Sequence, residues 1–514
     1  MLLWILLLVT LSLWWFYTKY QSGYWVRRGI PHDQPYPIVG SFWPVITLRK
    51  PPGLLLKELY NHPNARKSPL FGFHIFGKPA ILLRGPELIK QILIKDFNYF
   101  SDRFSFIAPQ HDFLAGRNLF FIKGKYWKAI RVTLTPTFTS KRMRDMFPLV
   151  NKCATDLIGC LKNEKAGTVT EFKELIARCT TDIISLCAFG INSGCLSNEN
   201  SDFRKHGKTL FDNYGISRTL KTYSSFFAPH FITERVLKSD FFDIKTTNFL
   251  RSAFNEALES RKKHGNRRND LIDVLSGLKE KGSISYSSVD KEDHSVLELN
   301  EKDLLAQAAV YFAGGFETST TTISFALHEL SRSLEIQQKL REEIEEKIKE
   351  FGSLSAESLA EMTYLDQVVN ETLRKYPPLP FLDREVNRDY KIPDTNIVLE
   401  KGTPLYVSLE GLHYDPEYFP NPDVFDPERF SEKMKNSRPA FAYLPFGEGP
   451  RNCIGSRFGL MVTKCILANI VSSVELSPNP SKPLVPLERN KRTFMTHSKD
   501  GIDLKIRHLK TTLA

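Results

Sequence analysis

The residues with the clearest capacity for chemistry surround Cys453, in the segment LPFGEGPRNCIG at residues 444–455. Gly447, Gly449 and Pro450 interrupt regular backbone structure there, and an apolar helical pattern resumes after the cysteine. This spacing predicts that Cys453 lies at a loop-to-helix junction, where unpaired backbone N–H groups and the positive end of the helix favour a thiolate. Of the seven cysteines, Cys453 is therefore the one whose surroundings predict chemistry.

The neighbours of Cys453 suit a large, flat ligand. Gly449 and Gly455 let the backbone pass close to a macrocycle, and Phe446 would shield the sulfur from water. Arg451 supplies a cation for an acidic substituent. Together these residues match FxxGxRxCxG at every fixed position, a signature in which the chain resembles the cytochrome P450 superfamily. The resemblance implies a monooxygenase in which Cys453 is the axial ligand of haem b, contacted also by Phe446 and Arg451.

A second motif, GGFETS at residues 314–319, lies within a long apolar segment predicted to be helical. Glycines inside a helix each cost up to about 1 kcal/mol relative to alanine. Close helix packing and a groove that admits dioxygen beside the haem are equally open explanations. The resemblance implies that Glu317 and Thr318 form an acid–alcohol pair that delivers protons to dioxygen. Gly314 departs from the family pattern, which usually has alanine there.

Glu371 and Arg374 are three residues apart on a predicted helix. On its own, this spacing fits a surface ion pair that contributes about 0.2–0.5 kcal/mol. The resemblance instead assigns the pair a structural role, in which Arg429 of the segment DPERF joins it and the network supports the Cys453 loop.

Trp127 and Arg131 are four residues apart and share a predicted helical face. They fit equally simply as one core aromatic and one solvated charge. The resemblance implies that the pair binds a haem propionate, and by position it gives Arg103 and Arg384 the same role.

A substrate pocket is expected from family position alone. Its predicted residues are apolar or aromatic, which suits a lipophilic substrate held by stacking and dispersion. Plain core packing remains an equal alternative for each of them, because the chain contains 37 phenylalanines. The predicted pocket residues are Phe104, Phe106, Phe113, Leu119, Phe312, Phe316, Leu379 and Leu382.

The elements that must position these residues are predicted to be mainly α-helical with small β-sheets, and the resemblance implies a cytochrome P450 fold. Asn300 and Asp303 are expected to cap the long helix that carries the glycine motif. Residues 279–299 are polar and charged and predict a mobile surface loop. The remaining predictions are a hairpin at 71–84, helices at 301–333, 334–351 and 356–376, strands near 390–392 and 403–408, an irregular stretch at 413–450 and a final helix from about 453.

The N-terminus predicts a membrane anchor. Residues 1–17 are apolar except for Thr10 and Ser12, and Lys19, Arg27 and Arg28 follow, which places the body of the protein in the cytosol. A cleaved signal peptide is the alternative, but the segment has neither a basic start nor a small-residue cleavage site. We therefore expect an N-terminal transmembrane helix at 1–20, a basic, proline-rich hinge at 21–50 and one catalytic domain at 51–514.

Composition argues against several protein classes. The net charge of +12 is spread along the chain, so no nucleic-acid partner is expected. A basic cluster at 261–268 fits a solvated surface, an anionic membrane or an acidic partner. The seven cysteines include no CxxC pair and are odd in number, which predicts neither a zinc site nor a disulfide framework. The six besides Cys453 are expected to be buried free thiols.

Residues 29–32, 37–42 and 134–140 resemble insect microsomal detoxification enzymes of family six of the superfamily. That likeness implies oxidation of plant toxins or insecticides at the cytosolic face of the endoplasmic reticulum membrane. Electrons would come from NADPH through NADPH–cytochrome P450 reductase, with cytochrome b5 as a further partner. Lys123, Lys125 and Lys128 would meet an acidic partner surface. The alternatives are a haem-thiolate isomerase or dehydratase, which needs no reductase, and a catalytically silent haem- or ligand-binding protein.

Overall fold

The computed structural model describes residues 23–66, 68–211, 215–264, 270–287, 294–435, 437–482 and 487–509, with isolated positions 4, 5, 9 and 12. Apart from those four positions, the predicted anchor at 1–20 lies outside the described residues. Within the described residues, no helix is both long enough and apolar enough to cross a membrane.

The described chain is mainly helical, as predicted. The helices are α1 (Trp43–Ile46), α2 (Pro52–Tyr60), α3 (Pro86–Lys90), α4 (Phe113–Gly116), α5 (Gly124–Leu134), α6 (Ser140–Lys162), α7 (Phe172–Ile184), α8 (Asp202–Phe211), α9 (Ile216–Phe227), α10 (Ile244–His264), α11 (Leu271–Lys281), α12 (Glu301–Arg332), α13 (Leu334–Phe351), α14 (Ala356–Ala360), α15 (Thr363–Lys375), α16 (Leu409–His413), α17 (Glu432–Lys435) and α18 (Ser456–Ser473).

The described β-strands form small sheets. The strands are β1 (Leu70–Ile75), β2 (Lys78–Leu83), β3 (Val169–Glu171), β4 (Ser283–Ser287), β5 (His294–Glu298), β6 (Phe381–Glu385), β7 (Tyr390–Lys391), β8 (Val398–Leu399), β9 (Pro404–Ser408), β10 (Val474–Pro478) and β11 (Asp503–His508). Their orders are β1-β2-β9-β6, β10-β11-β3, β4-β5 and β7-β8. Only β2 and β9 pair in parallel among these strands, and every other pair is antiparallel.

Two sequence predictions about these elements were wrong. Residues 356–376 are two helices, because the carboxylate of Glu343 accepts hydrogen bonds from the backbone N–H groups of Tyr364 (2.7 Å) and Leu365 (2.8 Å) and so caps a new helix start. Residues 279–299 are not an irregular loop in their described part. There α11 continues to Lys281, and the β4–β5 hairpin follows, held by backbone pairing that an apolar pattern does not reveal.

Other predictions were confirmed. The hairpin at 71–84 corresponds to β1 and β2, and the helices at 301–333 and 334–351 correspond to α12 and α13. Asn300 and Asp303 form a capping box, in which each side chain accepts from the other residue's backbone N–H. All seven cysteines are free; five of the six besides Cys453 are buried, and Cys160 is half-buried.

Helix α12 is the central element, and it packs against α4, α7, α18 and β10. Its two glycines have different surroundings. A Cβ atom placed on Gly315 would lie 2.4 Å from Cδ1 of Ile184 in α7, whereas a Cβ on Gly314 would meet nothing within 4 Å. Close packing therefore explains Gly315, and open space beside the helix accompanies Gly314, so each of the two explanations applies to one glycine.

Substituting each glycine by alanine should separate these effects. Gly315→Ala forces Ile184 or the helix to move, and we expect the free energy of unfolding to fall by about 1–3 kcal/mol. Gly314→Ala meets no obstacle and gains helix propensity, so the free energy should stay the same or rise by up to about 1 kcal/mol. Denaturant unfolding of both variants measures this. Equal losses in the two variants would contradict the packing assignment.

Candidate active site

A cavity of about 350 Å³ lies between α12 and the loop that precedes α18. Its volume is in the range of small-molecule sites. Val310, Gly314 and Thr318 line it from α12, and residues 445, 446 and 451–455 line it from the loop. The predicted site residues that the structure brings together there are Cys453, Phe446, Arg451, Trp127, Arg131, Arg103, Thr318, Leu119, Leu379 and Leu382.

Besides the three residues predicted to be structural, seven predicted site residues do not line this cavity, and their roles remain predictions. Phe104 and Phe106 pack against the ring of His230, with ring centroids 5.3 and 4.6 Å away. Phe312 and Phe316 belong to an aromatic cluster in the core. Phe113 is half-buried beneath two cations, Arg251 and Lys302. Glu317 and Arg384 are the other two.

Several lining residues were missed from the sequence. Val310 and Tyr311 lie four and three residues before Gly314, so helical periodicity alone would have placed them on the same face. Phe120 follows the predicted Leu119 and also lines the cavity. Thr137 lines the cavity and hydrogen-bonds the hydroxyl of Tyr311 at 2.8 Å, a contact between distant segments that no local pattern signals.

The surface exposure of Cys453 is toward the cavity. Its backbone N–H donates to the carbonyl of Phe446 at 2.8 Å, and α18 begins at Ser456. Burial raises the pKa of the Cys453 thiol, and the hydrogen bond from the Gly455 amide and the charge of Arg131 only partly offset this. The Gly455 amide at this loop-to-helix junction favours the thiolate, but burial outweighs it and the net shift of the pKa is upward. A coordinated metal ion removes the proton from a thiol.

The Cys453 loop, residues 444–455, is held from several sides. Gly449 has φ +75°, and a Cβ atom there would lie 2.1 Å from the carbonyl oxygen of Leu93, so only glycine fits. Arg131 donates to both the backbone oxygen and the side-chain oxygen of Asn452, each at 2.7 Å. In this arrangement Arg131 positions the residue beside Cys453.

Four arginines lie near one another, three of them in the cavity lining, and within the described residues two carboxylates pair with them. Arg103 contacts Asp383 at 2.9 Å, and Arg451 contacts Asp102 at 3.4 Å. Arg384 donates to the backbone oxygen of Asp383, and within the described residues nothing accepts a hydrogen bond from its Nε. The four arginines are Arg103, Arg131, Arg384 and Arg451.

The excess positive charge matches a ligand with two acidic groups. Burial and the neighbouring charges of Arg103 and Arg384 lower the pKa of Arg451 to about 8. Burial and Arg103 lower the pKa of Arg384 to about 9. Because guanidinium groups keep their protons in proteins, these shifts mark charge that lacks an anion. Haem carries two propionates, and its iron can take a soft protein ligand such as the sulfur of Cys453, so the residues present fit haem.

Glu317 and Thr318 face different surroundings. Thr318 lines the cavity, and its hydroxyl donates to the backbone oxygen of Gly314 at 2.8 Å. Glu317 is buried away from the cavity lining, with its Oε1 2.7 Å from Nε2 of His497 and 3.8 Å from Nζ of Lys173. Burial raises the pKa of Glu317, but these charges outweigh burial and lower it to about 2. The carboxylate is therefore ionised at neutral pH.

The pair formed by Glu371 and Arg374 is fully buried. Arg374 donates to both carboxylate oxygens, at 2.7 and 2.8 Å, and Arg429 lies 3.5 Å from Oε1 of Glu371. Burial alone would lower the pKa of Arg374, yet the hydrogen bonds and charge of Glu371 raise it. Arg374 also donates to the backbone oxygens of His413 (2.9 Å) and Pro422 (2.8 Å). The pair is therefore not the surface ion pair that its spacing alone fits, because both side chains are buried.

Comparison with known proteins agrees with this arrangement. The cytochrome P450 family model matches residues 31–503. Cytochrome P450 6k1 of Blattella germanica is 42% identical, over 95% of this chain and 93% of that protein. The probable cytochromes P450 6g2 and 6a14 of Drosophila melanogaster are 36% and 38% identical; each match covers 94% of this chain, and 94% and 95% of those proteins respectively.

The region that matches the family model contains the Cys453 loop, the glycine motif of α12 and the buried Glu371–Arg374 pair. Family membership implies a haem-thiolate cofactor and a reductase partner. The chain belongs to the cytochrome P450 family, and it is a monooxygenase related to the insect members of family 6.

Proposed function

We propose that this protein inserts one atom of dioxygen into a lipophilic small molecule of the xenobiotic class, such as a plant toxin or an insecticide. Electrons come from NADPH through NADPH–cytochrome P450 reductase, and the second oxygen atom leaves as water. The observation that carries the proposal is that Cys453 and Thr318 line the same cavity. Apolar side chains that also line it, Leu119, Val310 and Leu379, favour a lipophilic substrate.

The cofactor would be haem b, and this chain supplies residues to hold it. Cys453 would hold the iron through its sulfur from the loop side. Arg103, Arg384 and Arg451 would bind the propionates, and Trp127 stacks beneath the guanidinium of Arg451, whose Cζ is 4.2 Å from the ring centroid. When bound, haem supplies the iron at which dioxygen is reduced.

Protons reach the reaction through α12. The hydroxyl of Thr318 presents a proton at the cavity wall, and the carboxylate of Glu317 behind it accepts protons and passes them on to Thr318. Because Glu317 does not line the cavity, it exchanges protons with Thr318 through water or after its side chain rotates. His497 and Lys173 hold the carboxylate in its buried position.

The reductase docks near α5. Lys125 and Lys128 are exposed there and would meet an acidic surface, whereas Lys123 already pairs with Glu385. Cytochrome b5 is a second partner for the same face. An anchor at residues 1–20 would hold the protein in the endoplasmic reticulum membrane, with the catalytic domain on the cytosolic face.

Isotope labelling tests the reaction class. The full chain, reconstituted with haem, reductase and NADPH, is given a panel of lipophilic aromatic plant compounds under ¹⁸O₂. We expect a product that carries one heavy oxygen atom and forms only when both NADPH and reductase are present. Rearrangement of an organic peroxide without NADPH would favour the isomerase alternative. Haem binding with no oxidation of any compound would favour a silent binding protein.

Proton delivery can be tested on α12. Thr318→Ala removes the hydroxyl at the cavity wall, so we expect product formed per NADPH to fall about 10-fold or more while NADPH oxidation continues. Glu317→Gln should also lower the amount of product formed per NADPH. Thr320→Ala is the matched control, because the Thr320 hydroxyl donates to the backbone oxygen of Phe316, four residues before it, at 2.9 Å, and Thr320 does not line the cavity. A control with the same uncoupling would contradict the role of Thr318.

A further inference from the structure

His413 lies between the buried Glu371–Arg374 pair and the Cys453 loop. It ends α16, and its side chain is fully buried. Its backbone oxygen accepts from Nη1 of Arg374 at 2.9 Å, and its ring Nε2 accepts from the backbone N–H of Leu444 at 3.0 Å. One residue therefore contacts the ion pair through its backbone and the start of the loop through its side chain.

The bond to Leu444 has a defined donor and acceptor. A backbone N–H can only donate, so Nε2 of His413 must be an unprotonated acceptor and the ring must be neutral. Burial and the charge of Arg374 lower the pKa of His413 to about 3, which agrees with a neutral ring. Tyr443 packs on the ring, with centroids 5.2 Å apart, and anchors its own hydroxyl to the backbone oxygen of Asn370 at 2.9 Å.

The backbone leads from Leu444 to the cysteine by a short path. The carbonyl of Leu444 accepts from the N–H of Gly447 at 3.0 Å, and the carbonyl of Phe446 accepts from the N–H of Cys453 at 2.8 Å. Pro445 has no N–H, so the amide of Leu444 is the last donor before this turn. A shift at Leu444 would therefore pass to Phe446 and then to Cys453.

We propose that His413 is a positioning residue for Cys453, and that its acceptor bond to Leu444 transmits the fixed position of the Glu371–Arg374 pair to the thiolate loop. The inference rests on the proposed role of Cys453 as iron ligand. Loss of the acceptor loosens the start of the loop, so the sulfur releases the iron more readily, although no contact with haem has been removed.

Three substitutions of His413 test the acceptor bond. The amide oxygen of Gln reaches the position of Nε2, so His413→Gln should keep the bond. In His413→Asn the amide is too short, and His413→Leu has no acceptor. The readout is the reduced carbon monoxide complex of the full-length, haem-loaded protein. We expect His413→Gln to keep the wild-type fraction with the red-shifted thiolate Soret band, and His413→Asn and His413→Leu to convert to the non-thiolate form at least about 10-fold faster.

Gln337→Leu is the matched control for stability. The buried Oε1 of Gln337 accepts from the backbone N–H of Leu476 at 2.9 Å, which is the same kind of bond. Gln337 also donates to the backbone oxygens of Leu330 and Leu476, each at 3.0 Å, and neither residue belongs to the Cys453 loop. This variant should lower the thermal midpoint at least as much as His413→Leu, yet keep the wild-type conversion rate of the carbon monoxide complex.

The outcomes distinguish the role of Cys453 as iron ligand from the role of His413. A wild-type protein without a thiolate Soret band would refute Cys453 as ligand, and the proposed function with it. A normal wild type in which His413→Leu and Gln337→Leu convert at the same rate would overturn the role of His413 alone. If His413→Leu does not fold, the Gln and Asn variants decide: equal conversion rates in these two would also overturn it.

Discussion

A loop without regular secondary structure has to hold the sulfur of Cys453 in place, and bonds to a metal tolerate errors of only about 0.2 Å. The protein meets this demand from outside the loop. The carbonyl of Leu93 leaves room only for glycine at position 449. Arg131 donates a hydrogen bond to the backbone oxygen of Asn452, and the ring of His413 accepts one from the backbone N–H of Leu444. Behind His413 stands the Glu371–Arg374 pair, both members of which are fully buried. Such a pair does little for net stability, but removal of one partner leaves a buried charge, which makes its geometry hard to change.

The described residues beside the cavity carry more positive than negative charge. Four arginines lie there with two paired carboxylates, and burial together with the neighbouring positive charges lowers the pKa of Arg451 and Arg384. A ligand with two acidic groups offsets this positive charge, so its binding should stabilise the folded state. The thiol of Cys453 would also be changed by a ligand. Burial raises its pKa, and coordination to a metal ion would deprotonate it.

Local chemistry made much of the site predictable. The glycines, the cysteine and the capping residues Asn300 and Asp303 each act within a few positions of themselves, so their spacing carries the information. What the sequence concealed depends on contacts between distant segments. Glu343, on α13, accepts a hydrogen bond at the start of α15. His497 and Lys173 lie beside the Glu317 carboxylate, which does not line the cavity. No local sequence pattern indicates either contact. Phenylalanine assignments were weak for a related reason, because core and cavity offer the same apolar surroundings.

The ligand role of Cys453 is the claim on which the account depends, and the reduced carbon monoxide difference spectrum tests it most directly. The wild-type protein should show the red-shifted Soret band of a thiolate-bound iron, and Cys453→Ala should lose that band together with turnover. A wild-type spectrum without the red shift, or a variant that keeps it, would contradict the account.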